Sequence, residues 1–142
     1  MGEATYYCKI RYNSDKERDK GYEFVKRFFY EGAKAEHYWQ YNRGEDAEGF
    51  WRGFDKEFPL VKEYLEKLVK PSDHNKELAA FLNFGCVDDL DDSFQFIDNE
   101  IWYEACVWHL SKWDSMLAFV DEKTGSNSSW ISDEYLDPFS SF

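Results

Sequence analysis

Four aspartates surround one leucine in the segment CVDDLDDSF, residues 86–94, and no lysine or arginine lies between Glu77 and Ser111. Clustered carboxylates are the oxygen ligands that hard divalent cations prefer, so the run could form a weak cation site. It lacks the alternating ligands, the central glycine and the closing glutamate of an EF-hand loop. Aspartates in a turn also cap backbone N–H groups and keep neighbouring aromatic strands soluble. We favour the solvated turn and predict no metal site; the run comprises Asp88, Asp89, Asp91 and Asp92.

The histidines and cysteines show no spacing that is typical of a reactive site. His37, His74 and His109 are not four residues apart, as a metal-binding pair on a helix would be. The three cysteines are odd in number and far apart, which argues against a disulfide framework and for a reducing compartment. The sequence contains no glycine-rich phosphate loop and no nucleophile-elbow motif. It therefore predicts no catalytic residue and no cofactor.

The acidic charge of the chain is concentrated in its second half. Residues 1–70 carry 14 Lys or Arg and 14 Asp or Glu, whereas residues 71–142 carry 3 and 15, so the whole net charge of -12 belongs to residues 71–142. A field of one sign repels nucleic acid and acidic membranes and steers a basic partner toward the surface. Solubility is the alternative reason for such acidity.

Aromatic residues lie close to these acids in the segment SFQFIDNEIWYEACVWHL, residues 93–110. Period-two alternation and the Asp98-Asn99 pair predict a hairpin in which Ile97 lies opposite Glu100. One face of that hairpin would carry Glu100, Trp102, Glu104 and Trp108. Tryptophans ringed by acids are suited to binding a basic protein. The alternative is a second core, in which an inserted segment covers this face.

The leading functional hypothesis is a non-catalytic, acidic protein-binding module. Its partner would be a basic protein, such as a nucleic-acid-binding enzyme whose phosphate groove the acids imitate, and the module would be an inhibitor or decoy, as anti-defence and immunity proteins are. It would not bind nucleic acid or membranes directly. The predicted contact residues are Asp88, Asp89, Asp91, Asp92, Glu100 and Glu104 for charge, with Trp102 and Trp108 as anchors.

Two other functions stay open. A small-ligand or nucleotide binder, or a hydrolase of such a ligand, would use Arg11, His37, Arg43 and Arg52 between the sheet and the insertion. A structural or assembly subunit would form a homo-oligomer through the tryptophan face.

The elements that must position these residues follow from apolar periodicity. Residues 6–12 alternate as a strand, and a helix follows, with Tyr22, Val25, Phe28 and Phe29 on one face and Gly32 at its end. HYWQY, residues 37–41, is predicted as a strand. A helix is predicted in the segment 58–71, where Pro59 suits its first turn and Pro71 stops it. After the hairpin, a helix over residues 111–124 ends at Gly125, and SSWIS, residues 128–132, is the last strand.

This element order predicts an α+β fold, specifically a ferredoxin-like two-layer sandwich (βαβ-ββαβ) with an antiparallel sheet and a helical insertion. The 142 residues are expected to form a single domain, with the insertion at about residues 45–92 and a short tail at residues 133–142. The sequence shows neither a signal-peptide pattern at its start nor a run of about 20 apolar residues, so we expect a cytoplasmic protein.

Overall fold

A computed structural model describes residues 4–42, 53–68, 94–107 and 110–132. The four described strands form one antiparallel sheet in the order β2-β3-β1-β4. Helices pack on one side of it, so the predicted α+β class and the antiparallel sheet are confirmed. Along the chain the elements are β1 (Ala4–Arg11), α1 (Asp15–Asn42), α2 (Pro59–Leu68), β2 (Phe94–Ile97), β3 (Glu100–Val107), α3 (Leu110–Thr124) and β4 (Asn127–Ser132).

Helix α1 is much longer than the sequence pattern predicted. It was expected to end at Gly32, and residues 37–41 were expected to form a strand; both predictions are wrong, because the helix continues to Asn42. Gly32 and Ala35 are both buried, so the buried face of the helix continues beyond Phe29 with small residues. A glycine inside a helix lowers helix stability by about 1 kcal/mol relative to alanine. The free energy gained by packing a long apolar face is larger, so the helix continues through Gly32.

The predicted hairpin is confirmed in position and in register. Ile97 pairs with Glu100 and Phe96 with Ile101, and Asp98 in the turn has a φ of 51°. Aspartate and asparagine tolerate this left-handed backbone better than most residues. The turn is also tied to the start of α1, because the guanidinium of Arg18 donates a hydrogen bond to the carbonyl of Asp98.

The core between the helices and the sheet is built from aromatic rings. Phe29 of α1 contacts Phe94, Tyr103 and Trp113, with ring centroids 5.5, 5.1 and 6.0 Å away. On the other side of α1, Phe28 contacts the rings of Phe24, Tyr64 and Phe119. Three of these six pairs meet edge to face, an arrangement that adds to the free energy gained from area burial alone.

The two shorter helices follow their predicted patterns. The predicted apolar stripe of α3 is buried, and Gly125 after the end of the helix has a φ of 70°, as a helix C-cap requires. Helix α2 begins at Pro59, and its first turn is capped from α1: the buried carboxylate of Glu31 accepts the N–H of Leu60 at 2.9 Å. A carboxylate at a helix N-terminus is stabilised by the helix dipole. The stripe of α3 consists of Trp113, Met116, Leu117 and Val120, and Phe119 is buried as well.

No helix in the described segments has a stretch that is both long and apolar enough to cross a membrane.

Tyr12, the residue after β1, fills the space beside Gly21. The phenol ring is buried, and it lies where a β-carbon on Gly21 would stand. The hydroxyl of Tyr12 donates to Oγ1 of Thr124 at the end of α3, 3.0 Å away. Gly21 therefore allows the first strand, α1 and α3 to meet around one ring.

We expect Gly21→Ala to destabilise the protein by about 2 kcal/mol, because the added methyl would overlap the buried Tyr12 ring and disturb its hydrogen bond to Thr124. The matched control is Gly53→Ala, since no atom of the described residues lies within 4 Å of the added β-carbon at that helical position. Urea unfolding of both variants measures the difference. Equal stability losses in the two variants would contradict the proposed role of the ring.

Candidate functional site

The face of the sheet opposite the helices carries the described part of the predicted site. Because side chains alternate along a strand, Cys8 and Ile10 of β1 point into the helical core and their neighbours point away from it. The register places Arg11 opposite Glu100 and Lys9 opposite Trp102. We call the outer face the set Tyr7, Lys9, Arg11, Glu100, Trp102 and Glu104.

Both carboxylate oxygens of Glu100 are occupied. Oε2 accepts the Nε of Arg11 at 2.7 Å and a second guanidinium nitrogen, and it lies 3.9 Å from the Nζ of Lys9. Oε1 accepts the indole N–H of Trp102 at 3.0 Å. Glu100 is only 7% exposed, and a buried carboxylate is tolerated when it is paired and hydrogen-bonded in this way. The negative charge of Glu100 is therefore compensated within the protein.

Trp102 is buried in this arrangement rather than displayed. Its exposed fraction is 5%, and that of Tyr7 on the same face is also 5%. The Nζ of Lys9 lies 5.7 Å from the centre of the Trp102 ring, within the range of a cation–π interaction. For Trp102 the burial agrees with the second-core alternative, and contact of this ring with a partner stays a prediction. Trp108 lies outside the described residues.

Glu104 differs from Glu100 in being exposed. Its register partner in β1 is Tyr7, which carries no charge, and no described residue forms an ion pair with its carboxylate. The two cations of the outer face are directed to Glu100 instead. Of the predicted acidic contacts in the described structure, Glu104 is thus the one whose charge is available. The aspartate run, Asp88, Asp89, Asp91 and Asp92, lies outside the described residues.

The predicted set for a small-ligand site is not brought together in the described structure. The side chain of Arg11 is 56% exposed, but its guanidinium is held by Glu100. His37 lies on α1, where its side chain is not among those described, and Arg43 and Arg52 fall outside the described residues. The sequence patterns assigned Arg11 to a small-ligand site and Glu100 to an acidic binding surface, whereas the two side chains form an ion pair. The alternation of side chains along each strand predicted that both residues lie on the outer face. It did not predict the register between β1 and β3, which sets Arg11 opposite Glu100.

The described residues offer no metal centre and no activated thiol. No group of three His, Cys, Asp or Glu side chains within the described segments could hold a metal ion. Burial raises the pKa of the Cys8 thiol, and the carboxylates of Asp121 and Asp114 raise it further. Because the thiolate is the reactive form, Cys8 is an inert core residue.

Comparison with known proteins gives no match of any kind. No family description, no curated protein and no solved structure matches this chain. The function is therefore argued from the charge, burial and contacts of the residues themselves.

We expect Glu100→Ala to lower the free energy of unfolding by about 2–3 kcal/mol, because it leaves the Trp102 N–H unsatisfied and two cations without their carboxylate. The control is Glu104→Ala on the same strand and face, which should change stability by less than about 0.5 kcal/mol because its side chain is exposed. Chemical denaturation followed by far-ultraviolet circular dichroism measures both. A Glu100 variant as stable as its control would show that the pairing contributes nothing.

Proposed function

We propose that the protein is a non-catalytic module that binds a basic protein through the acidic surface of its second half. The observation that carries the proposal is the charge distribution: the first 70 residues are balanced, and the remaining 72 carry the whole net charge of -12. Charge of one sign on one part of a small protein accelerates encounter with an oppositely charged surface and selects against like-charged partners.

The ion pairs of the described structure neutralise only some of the acids of the second half. The Nζ of Lys123, on α3, is bound to Glu63 of α2, and this contact raises the pKa of the lysine. Glu122 is bound to Lys67 of α2, which lowers the pKa of its carboxyl. Three exposed carboxylates of the second half, those of Asp98, Glu104 and Asp114, have no cationic partner among the described residues, and that of Asp114 accepts the indole N–H of Trp130. They are the described part of the proposed acidic surface.

The chemistry of the partner follows from what carboxylates imitate. A carboxylate can occupy the position of a phosphate opposite lysine or arginine, where it accepts charge-assisted hydrogen bonds. A nucleic-acid-binding enzyme presents such a row of cations along its groove. In this proposal the module is an inhibitor or decoy of such an enzyme, and it acts by occupying the groove. The aspartate run at residues 88–92 and Trp108 are proposed as further contacts.

The burial of Glu100 and Trp102 assigns these two residues a supporting role within the proposal. Their hydrogen bond joins adjacent outward positions of β3, and Arg11 ties them to β1. They keep the strand that carries Glu104 in place. Glu104 and the aspartate run then provide the free negative charge.

We also infer that the fold is of the ferredoxin-like type. Once residues 37–41 are assigned to α1 and the segment around α2 is set aside, the described elements follow the order βαββαβ. The antiparallel pairing in the order β2-β3-β1-β4 supports this inference. Such a fold hosts many unrelated functions, so it adds no argument for the partner.

The test is affinity capture from the lysate of the native host at low and at about 0.5 M salt, with mass spectrometry of the retained proteins. We expect a basic nucleic-acid-binding protein that high salt releases, because exposed ion pairs are screened. Double-stranded DNA added at low salt should displace the same protein if the acids occupy its phosphate groove.

A charge-reversal pair makes this test specific. Glu104→Lys, combined with asparagine at the four aspartates of the run, should reduce the captured amount at least about tenfold. Glu23→Lys, an exposed acid of α1 in the first half, should leave it unchanged. Capture that is insensitive to salt and to both variants would rule out the acidic surface as the binding site.

A further inference from the structure

Two aromatic side chains of the outer face are buried without belonging to the core between the sheet and the helices. Tyr7 and Trp102 are each 5% exposed, and neither is part of the core cluster on the helical side. Side chains that stand on an open sheet face shield one another's flanks, but their outer ends stay in contact with water. The ammonium of Lys9, 5.7 Å from the centre of the Trp102 ring, covers only a small part of so large a side chain. Their burial therefore indicates that further chain lies over the two rings.

The neighbours of the two rings show from which side this cover arrives. Tyr7 stands opposite Glu104 of β3, and Trp102 stands opposite Gln95 of β2. Both Glu104 and Gln95 are exposed. A segment that reached Trp102 from β2 would cross one of these two side chains and bury it. The cover therefore crosses the sheet from the opposite side, over β4 and β1.

On that side the register leads from the rings to the end of β4. Tyr7 pairs with Ile131, and the next residue, Ser132, ends the strand. Ser129, two residues before Ile131 on the same face, is exposed, so the cover does not cross the sheet near the start of β4. Residues 133–142 continue the chain directly from the end of β4.

The other segments outside the described residues are less well placed. Residues 43–52 connect α1 to the helical residues before α2, so both of their ends lie on the helical side of the sheet. Residues 69–93 leave α2 on that side and join β2, from which the exposed Gln95 and Glu104 separate them from the rings.

Two shorter segments lack the necessary length. Residues 1–3 precede β1, and residues 108–109 lead from β3 to α3. At about 3.3 Å per extended residue, neither segment is long enough to reach Trp102.

The segment 133–142 has both the reach and the side chains for this position. Ser132 is level with Tyr6, three residues from Lys9, and Lys9 is level with Trp102 on the next strand. The path from Ser132 to Trp102 is therefore about 14 Å, which four to five extended residues span. The segment carries the apolar side chains Tyr135, Leu136, Phe139 and Phe142.

We propose that residues 133–142 fold back over the outer face of the sheet and bury Tyr7 and Trp102, with Leu136 and Phe139 against the two rings. The segment thereby occupies the face that a homo-oligomer would use, and it acts as a built-in competitor of a second copy. This proposal does not depend on the proposed acidic interface, because it concerns the apolar rings of the outer face and not its free carboxylates.

The test uses the full chain labelled with 5-fluorotryptophan and fluorine NMR. The resonance of Trp102 is identified by its loss in Trp102→Phe, and its shift difference between water and heavy water reports contact of the ring with solvent. This difference should be small in the unaltered chain. The double variant Leu136→Asp, Phe139→Asp should raise it at least about threefold, because carboxylates do not stay on a buried apolar patch.

A control and a second measurement make the test specific. Ser129→Asp adds a carboxylate at an exposed position of the same face and should leave the Trp102 difference nearly unchanged. In the unaltered chain, nuclear Overhauser contacts should join the indole of Trp102 to the methyl groups of Leu136. This measurement needs no substitution, so it stands even if the double variant fails to fold.

Three outcomes would overturn the proposal. One is a Trp102 solvent difference that the double variant leaves unchanged while circular dichroism shows an intact fold. Another is a set of Overhauser contacts that joins Trp102 to residues 43–52 or 69–93 instead. The third is a solvent difference that rises on dilution as a dimer dissociates in sedimentation, since a second copy would then provide the cover.

Discussion

The position of Tyr12 is the constraint on which the arrangement of strands and helices depends. Its backbone N–H donates to the carbonyl of Asn99 at 3.0 Å, and the Asn99 side-chain amide donates back to the carbonyl of Tyr12. Its ring fills the space beside Gly21, and its hydroxyl reaches Thr124. Burial raises the pKa of Tyr12, so the phenol stays neutral and keeps its proton for the hydrogen bond. One residue therefore joins the hairpin turn, α1 and the end of α3.

The outer face is a consequence of that junction. Because β1 is held between β3 and β4, its inward residues complete the aromatic core and its outward cations meet β3. Arg11 stands directly opposite Glu100, and such cross-strand pairs of opposite charge stabilise a sheet. Lys9 and Arg11 are both directed to the carboxylate of Glu100, so their charges are used within the protein. The charge of Glu100 is thereby compensated within the sheet.

The proposed acidic interface relies on carboxylates and long-range attraction, which sets the rate and selectivity of encounter more than the affinity. The excess acids that would form it follow residue 70.

The sequence by itself determined the elements whose signals are local. The hairpin register follows from alternation around Asp98-Asn99, α3 from its apolar spacing and Gly125, and the start of α2 from Pro59. Tertiary structure decided the rest. Helix α1 passes Gly32 because buried small residues pack there and Glu31 caps α2, and these contacts join residues 29 positions apart. The pairing of Arg11 with Glu100 spans 89 positions and needs the register of β1 against β3. Local pattern contains no information on such distant partners, because their attraction exists only after the chain has brought them together.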